Sequence, residues 1–211
     1  MRSNLKTAAR RVRGLAMTAR GMRGFTMVEL LAAIVIIALL AALAIPSFIG
    51  MMRDRRVVRA ALYMADTYRD ARSRSLARGI AVSVRWTSDG AGKGIVELRE
   101  ATVFAPGAGL TRTCQTADWS SGSTDTRQVY SYNFAGTTYE LAAMKLYDEG
   151  GVAVSFGEIC FSPEGPAYVR YTANGTFASL AGVPHYEITN TRTGVLRTVF
   201  VPPNGVARLS L

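Results

Sequence analysis

Residues 25–45 read Phe25-Thr26-Met27-Val28-Glu29 and then sixteen apolar residues from Leu30 to Ile45, followed by Pro46-Ser47-Phe48. As a helix this stretch would be about 32 Å long, the thickness of a hydrocarbon core. A single carboxylate stands at its head. A charged residue deep in a membrane helix costs about 2.5–3.5 kcal/mol on insertion scales and less near an end. Glu29 sits near the end, so insertion is tolerable, yet a plain anchor gains nothing from the charge.

The charge before this segment is one-sided. Residues 1–24 carry seven basic residues and no acidic one. Without them the formal net charge falls from +10 to +3, so the high isoelectric point belongs mostly to the leader and is weak support for nucleic-acid binding by the rest. A cut between Gly24 and Phe25 would leave Phe25 with a positive α-amino group. Glu29 lies four residues on, about one helical turn. An ammonium and a carboxylate in a membrane favour pairing, within one chain or between neighbours, and a pair between neighbours would fix the axial register of parallel helices. The first turn of a helix also favours a negative charge.

Gly24-Phe25-Thr26-Met27-Val28-Glu29-Leu30-Leu31 resembles the class III signal of type IV prepilins and pseudopilins: a basic leader ending in Gly, Phe-Thr-x-x-Glu, about twenty apolar residues, then Pro. The resemblance implies that a prepilin peptidase cuts after Gly24 and methylates Phe25. It implies that Glu29 pairs with the N-terminus of a neighbouring subunit, and that Pro46 falls where such helices kink, as its missing N–H allows. The implied partners are that peptidase, other major and minor pilins or pseudopilins, an inner-membrane assembly platform and inner-membrane lipid. The leader would be cytoplasmic and the C-terminal domain periplasmic before assembly, and the protein would sit in a pilus or pseudopilus afterwards. Met17 is an alternative start. Two plainer readings stay open: a class I signal peptide, for which Ala42-Leu43-Ala44 fits a small-x-small cleavage site, and a simple signal anchor. Arginines flank the span on both sides, so charge bias sets orientation only weakly.

Residues 53–78 continue as an amphipathic helix, with Val57, Val58, Ala61, Leu62, Met64, Ala65, Tyr68, Ala71 and Leu76 on one half of the wheel. Arg69 and Arg72 break the stripe. Its eight arginines and three aspartates are expected to meet lipid phosphates or neighbouring subunits. Gly79 is a natural helix stop. After it the period changes to two: Ile80, Val82, Val84 and Trp86 alternate with polar residues, as in a half-buried strand. Strands are expected at 95–104, within 129–147, at 152–161, 168–172, 185–189, 195–201 and 206–211, with residues 105–128 irregular. The expected fold is α+β: a long N-terminal kinked helix, half transmembrane and half amphipathic, packed on a C-terminal antiparallel β domain. The expected segments are a cleaved leader (1–24), an assembly helix (25–52), an amphipathic helix (53–78) and an extracytoplasmic β domain (79–211). Phe161-x-Pro163-x-Gly165 and the Gly205-x-x-Arg208 ending are similar to the GspH/FimT group of minor pilins and minor pseudopilins. Nothing in about residues 100–150 carries that resemblance.

Cys114 and Cys160 follow the apolar segment, on the side where disulfides persist. A bridge would close a loop of about 47 residues, worth about 4 kcal/mol in the chain-entropy model; two free thiols are the alternative. Two Cys and one His are too few for a structural zinc site, and no metal or cofactor is expected. No Gly-x-Ser-x-Gly, phosphate loop or Cys–His arrangement occurs, so no enzyme is expected. The function expected is that of a minor pilin at or near the tip of a type IV pilus, priming assembly. A minor pseudopilin of type II secretion is one alternative. A DNA-binding minor pilin is another, with Arg192, Arg197 and Arg208 as candidate contacts, although the ending lacks the first Arg of the Gly-Arg-x-Arg pattern.

Overall fold

The computed structural model describes residues 25–102, 113–136, 139 and 142–210. The leader, with Gly24 and Met17, lies outside the described residues. Two compact units divide the chain, one ending at Ala44 and the other running from Ile45 to Leu211.

Helix α1 (Met27–Arg78) opens on a cap: the Glu29 N–H donates to Thr26 Oγ1 at 3.2 Å, and the Leu30 N–H donates to the Thr26 carbonyl at 3.1 Å. Thr26-x-x-Glu29 has the spacing of a capping box, which satisfies helix-start N–H groups that have no intrahelical acceptor. The helical run continues through Pro46. It ends where Gly79 takes φ +65°, a left-handed conformation that a residue without Cβ adopts at no steric cost. Residues 27–45 are exposed almost throughout, apolar on every side, and long enough to cross a membrane.

Eleven strands follow: β1 (Val82–Ser88), β2 (Gly94–Ala101), β3 (Thr126–Asn133), β4 (Ala142–Tyr147), β5 (Ala153–Val154), β6 (Phe156–Phe161), β7 (Ala167–Arg170), β8 (Ala178–Ser179), β9 (His185–Asn190), β10 (Leu196–Phe200) and β11 (Arg208–Ser210). They form a six-stranded sheet in the order β3-β2-β1-β6-β7-β8 and a five-stranded sheet in the order β11-β10-β9-β4-β5. Every pairing is antiparallel. Both sheets share one core with the second half of α1. Val57, Ala61, Met64, Ala65, Tyr68 and Ala71 meet Val84, Trp86 and Leu98 of one sheet and Met144, Tyr186, Ile188 and Val199 of the other. The Tyr68 and Tyr186 hydroxyls lie 2.6 Å apart, so one buried phenol donates to the other.

The helical stripe is narrower than the wheel reading. Leu62 and Leu76 are exposed, and Thr67 and Ser75 are buried in their stead. The small hydroxyls bring their own acceptors: Thr67 donates to the Tyr63 carbonyl and Ser75 to the Phe161 carbonyl, both at 2.9 Å. Close approach of α1 to β6 favours a small side chain that can donate over a large apolar one.

Strand β1 departs from the alternating expectation. Its first five residues are all buried, Ser83 and Arg85 included. A second apolar cluster explains this. Cys114, Ala117 and Trp119 lie over the far face of the six-stranded sheet with Ala81, Ala101, Cys160 and Phe177. The strand therefore has one face on the helix and the other under a loop.

Candidate functional site

The two ends of the chemistry named in the sequence lie at the start of α1. Phe25 is 82% exposed and Glu29 is exposed one helical turn later. The Glu29 backbone is spent on the cap, but its carboxylate forms no ion pair among the described residues. In the uncut chain the Phe25 nitrogen is a peptide nitrogen without charge. Glu29 thus stands one helical turn from Phe25 with no cation beside it among the described residues.

Every buried carboxylate elsewhere is treated differently. Glu158 of β6 is wholly buried and accepts from Ser83 Oγ at 2.8 Å, Arg85 Nε at 3.3 Å and Arg170 Nε and Nη2 at 2.9 and 2.6 Å. Arg85 also donates to the Trp119 carbonyl, and Arg99 donates to the Ser120 carbonyl at 3.1 Å and to Thr126 Oγ1 at 3.0 Å. Burial, then the neighbouring Arg85 charge, lowers the Arg99 pKa from its ordinary value. Two arginines, Arg85 and Arg99, thus hold the 113–125 loop onto the sheet by its backbone carbonyls.

Glu100 of β2 makes a second network. Its carboxylate accepts from Arg74 Nη1 at 3.2 Å, Arg78 Nη1 at 2.8 Å, and Arg127 Nε and Nη2 at 3.1 and 2.8 Å. Burial alone would raise its pKa. The hydrogen bonds from Arg127 and Arg74 and the charge of Arg78 outweigh burial and hold it below the usual carboxylate value.

Cys114 and Cys160 form a disulfide, with S–S 2.07 Å and Cα–Cα 5.8 Å. It joins the loop to β6, two residues from Glu158. Trp119 packs beside it and donates its indole N–H to the Cys114 carbonyl at 2.9 Å.

The arginines of α1 fall into two groups. Arg69 donates to the Ala207 carbonyl at 3.1 and 2.8 Å, and Arg72 to the Ser162 carbonyl at 2.9 Å. With Arg74 and Arg78 on Glu100, the last four arginines of the helix tie the fold together. Of the basic face expected to meet lipid or neighbours, Arg53, Arg55, Arg56 and Arg59 form no ion pair among the described residues. The two arginines that broke the sequence stripe are the ones that hold the C-terminal segment. The stem of Arg72 would lie 2.9 Å from a Cβ at residue 205, and Gly205 has φ +76°. That gives the glycine of Gly205-x-x-Arg208 a packing role.

Two of the three arginines considered for DNA face opposite sides of the five-stranded sheet. Arg192 lies in the turn after β9. Arg197 shares a side of β10 with buried Val199; its Nη1 donates to the Leu196 carbonyl, and its Nε is buried without a partner. Arg208 sits opposite Phe200, on the other side of the sheet. Strand alternation thus separates Arg197 from Arg208. No group of His, Cys, Asp and Glu able to hold a metal occurs among the described residues.

Sequence reasoning missed Arg85, Arg99, Arg170, Glu100 and Glu158. The available signal was charge at alternate positions in strands otherwise rich in Val, Leu and Ile, which marks a strand covered on both faces.

Residues 19–45 match the family model described as the prokaryotic N-terminal methylation motif. No curated protein matches the chain in sequence. A similar solved structure is the type IV minor pilin FimU of Pseudomonas aeruginosa strain PAO1, at 14% identity and TM-score 0.42 over 74% of this chain and 90% of that one.

Proposed function

We propose that this bearer of a prokaryotic N-terminal methylation motif is the precursor of a type IV minor pilin of GspH/FimT type. It is cut between Gly24 and Phe25 by a prepilin peptidase and methylated on Phe25. It is held in the inner membrane by its apolar helix until other pilins and the assembly platform take it into a filament, at or near the tip, where it primes assembly. The observation that carries this reading is Glu29: an exposed carboxylate in an apolar helix, without an ion-pair partner among the described residues, one turn from a junction whose cleavage creates an amine. An intermolecular Phe25–Glu29 pair would then set the register of neighbouring helices. The Cys114–Cys160 disulfide supports a periplasmic β unit, because such bonds persist in oxidising compartments. The role is structural, and the buried carboxylates are occupied in holding strands and loop.

N-terminal sequencing of the mature protein tests the reading. N-methylphenylalanine at position 25 is expected. A mature chain beginning at Ile45, or an uncut chain in a strain with active prepilin peptidase, overturns it. Gly24→Val should leave the precursor in the membrane, seen as the larger band on a gel.

A further inference from the structure

Along one side of α1 the residues at 63, 67, 70, 74 and 78 follow the i, i+4, i+7 spacing of a helix face. Strand β3, an edge strand, lies against this face. The Tyr63 and Tyr132 rings are 4.6 Å apart, Tyr132 also meets Tyr139 at 5.8 Å, and Tyr130 sits near Thr67, Asp70 and Arg74. Beyond them come Arg74, Arg78 and Arg127 around Glu100. The four tyrosines are half-buried, and Arg78 and Arg127 are 46% and 63% exposed at their side chains.

Three guanidinium groups here face two carboxylates, Glu100 and Asp70, which leaves an excess of one positive charge. The buried Glu100 uses only part of the donor set, since a guanidinium carries five N–H groups. Arg78 and Arg127 stand between two open depressions of about 340 and 280 Å³. Ile80 and Ala101 line one, and Val129 and Gln128 the other. The guanidinium planes are thus fixed from below by a buried anion and open above.

We propose that this α1–β3 seam is a docking surface for a protein partner that presents carboxylate side chains, the acids seated between Arg78 and Arg127 and the tyrosines supplying the apolar contact. Tyr and Arg are the side chains most enriched at the energetic centres of protein interfaces, and guanidinium groups bind carboxylates bidentately. A single excess charge beside Asp70 does not suit a nucleic acid, whose backbone needs a run of cations. Apolar lining suits an inserted side chain instead. The partner is another subunit of the same filament, a point that rests on the function proposed above.

The test uses the full-length chain in detergent with labelled hexaglutamate as probe, and hexaserine and oligothymidylate as comparisons. Hexaglutamate should bind and weaken as salt rises. Arg127→Ala and Gln128→Glu should each weaken it about tenfold or more. Gln128→Glu places a negative charge on an exposed residue that lines the depression beside Arg127, so it reports on docking even where Arg127→Ala disturbs the fold. Absence of hexaglutamate binding at low salt, binding unchanged in both variants, or tighter binding of oligothymidylate each overturns the proposal. In cells, a photo-crosslinker at position 128 separates the two readings. An adduct with another filament subunit supports both. An adduct with a protein outside any filament, with hexaglutamate binding intact, keeps the docking surface and removes the filament reading. Normal filament entry of Arg78→Glu/Arg127→Glu, with no adduct at 128, removes the docking surface and leaves the filament reading standing.

Discussion

The head of α1 and the far face of the six-stranded sheet handle carboxylates in opposite ways. Glu158 is wholly buried and takes hydrogen bonds from Ser83, Arg85 and Arg170. Glu29 is exposed on an apolar helix and has no cation among the described residues. A buried charge without partners costs several kcal/mol, so the fold completes the shell of Glu158 from its own strands. Glu29 is left without a cation on an exposed helix long and apolar enough to cross a membrane. The carboxylate satisfied within the chain serves the fold, and the one left open is the one to which the proposed function gives a role in assembly.

The largest effect that sharpens this contrast is expected at Glu158. Glu158→Ala strands Arg85 and Arg170 as buried cations and should cost about 3–5 kcal/mol, read from denaturant unfolding of the full chain in detergent. A loss near zero would break the contrast at its strongest point. Removing the bridge by Cys114→Ser with Cys160→Ser should cost about 2–4 kcal/mol, and less if the loop stays docked through Arg85 and Arg99.

Glu100 gives a third, smaller effect with a pH signature. Its pKa is depressed in the folded chain, so its contribution is present above the unfolded carboxylate value of about 4.3. It is lost as pH falls below that value through the folded pKa. Melting temperatures between roughly pH 5 and pH 2 should therefore fall more steeply for the wild type than for Glu100→Gln. Parallel curves would mean that the three arginines do not hold the charged form.

The smallest effect on stability is expected at Glu29. Gln is also accepted at the third position of a capping box, so Glu29→Gln keeps the helix start and removes only the charge. Unfolding should shift by less than about 0.5 kcal/mol, while the amount of protein in sheared filaments falls sharply. Wild-type filament content for Glu29→Gln would falsify the assembly role.

Much of this was legible along the chain. The apolar run and the Gly79 stop need only local spacing, because helix periods and stops are set by neighbours in sequence. Most strands were legible for the same reason. The 113–125 loop was not, because its order comes from Arg85 and Arg99, far away in sequence, and from a disulfide to β6. Arg69 and Arg72 read as errors in a stripe until the carbonyls of Ala207 and Ser162 were seen beside them.

The sequence by itself determined the long apolar helix with a carboxylate at its head and the α+β order of elements, since each depends on periodicity and on residues within a turn of one another. Tertiary structure alone decided which charges are spent inside the molecule. Burial and partners are properties of surfaces brought together across 22 to 138 residues, as between Arg78 and Glu100 and between Arg69 and Ala207. Only that folding shows Glu158 and Glu100 enclosed by arginines and Glu29 still open.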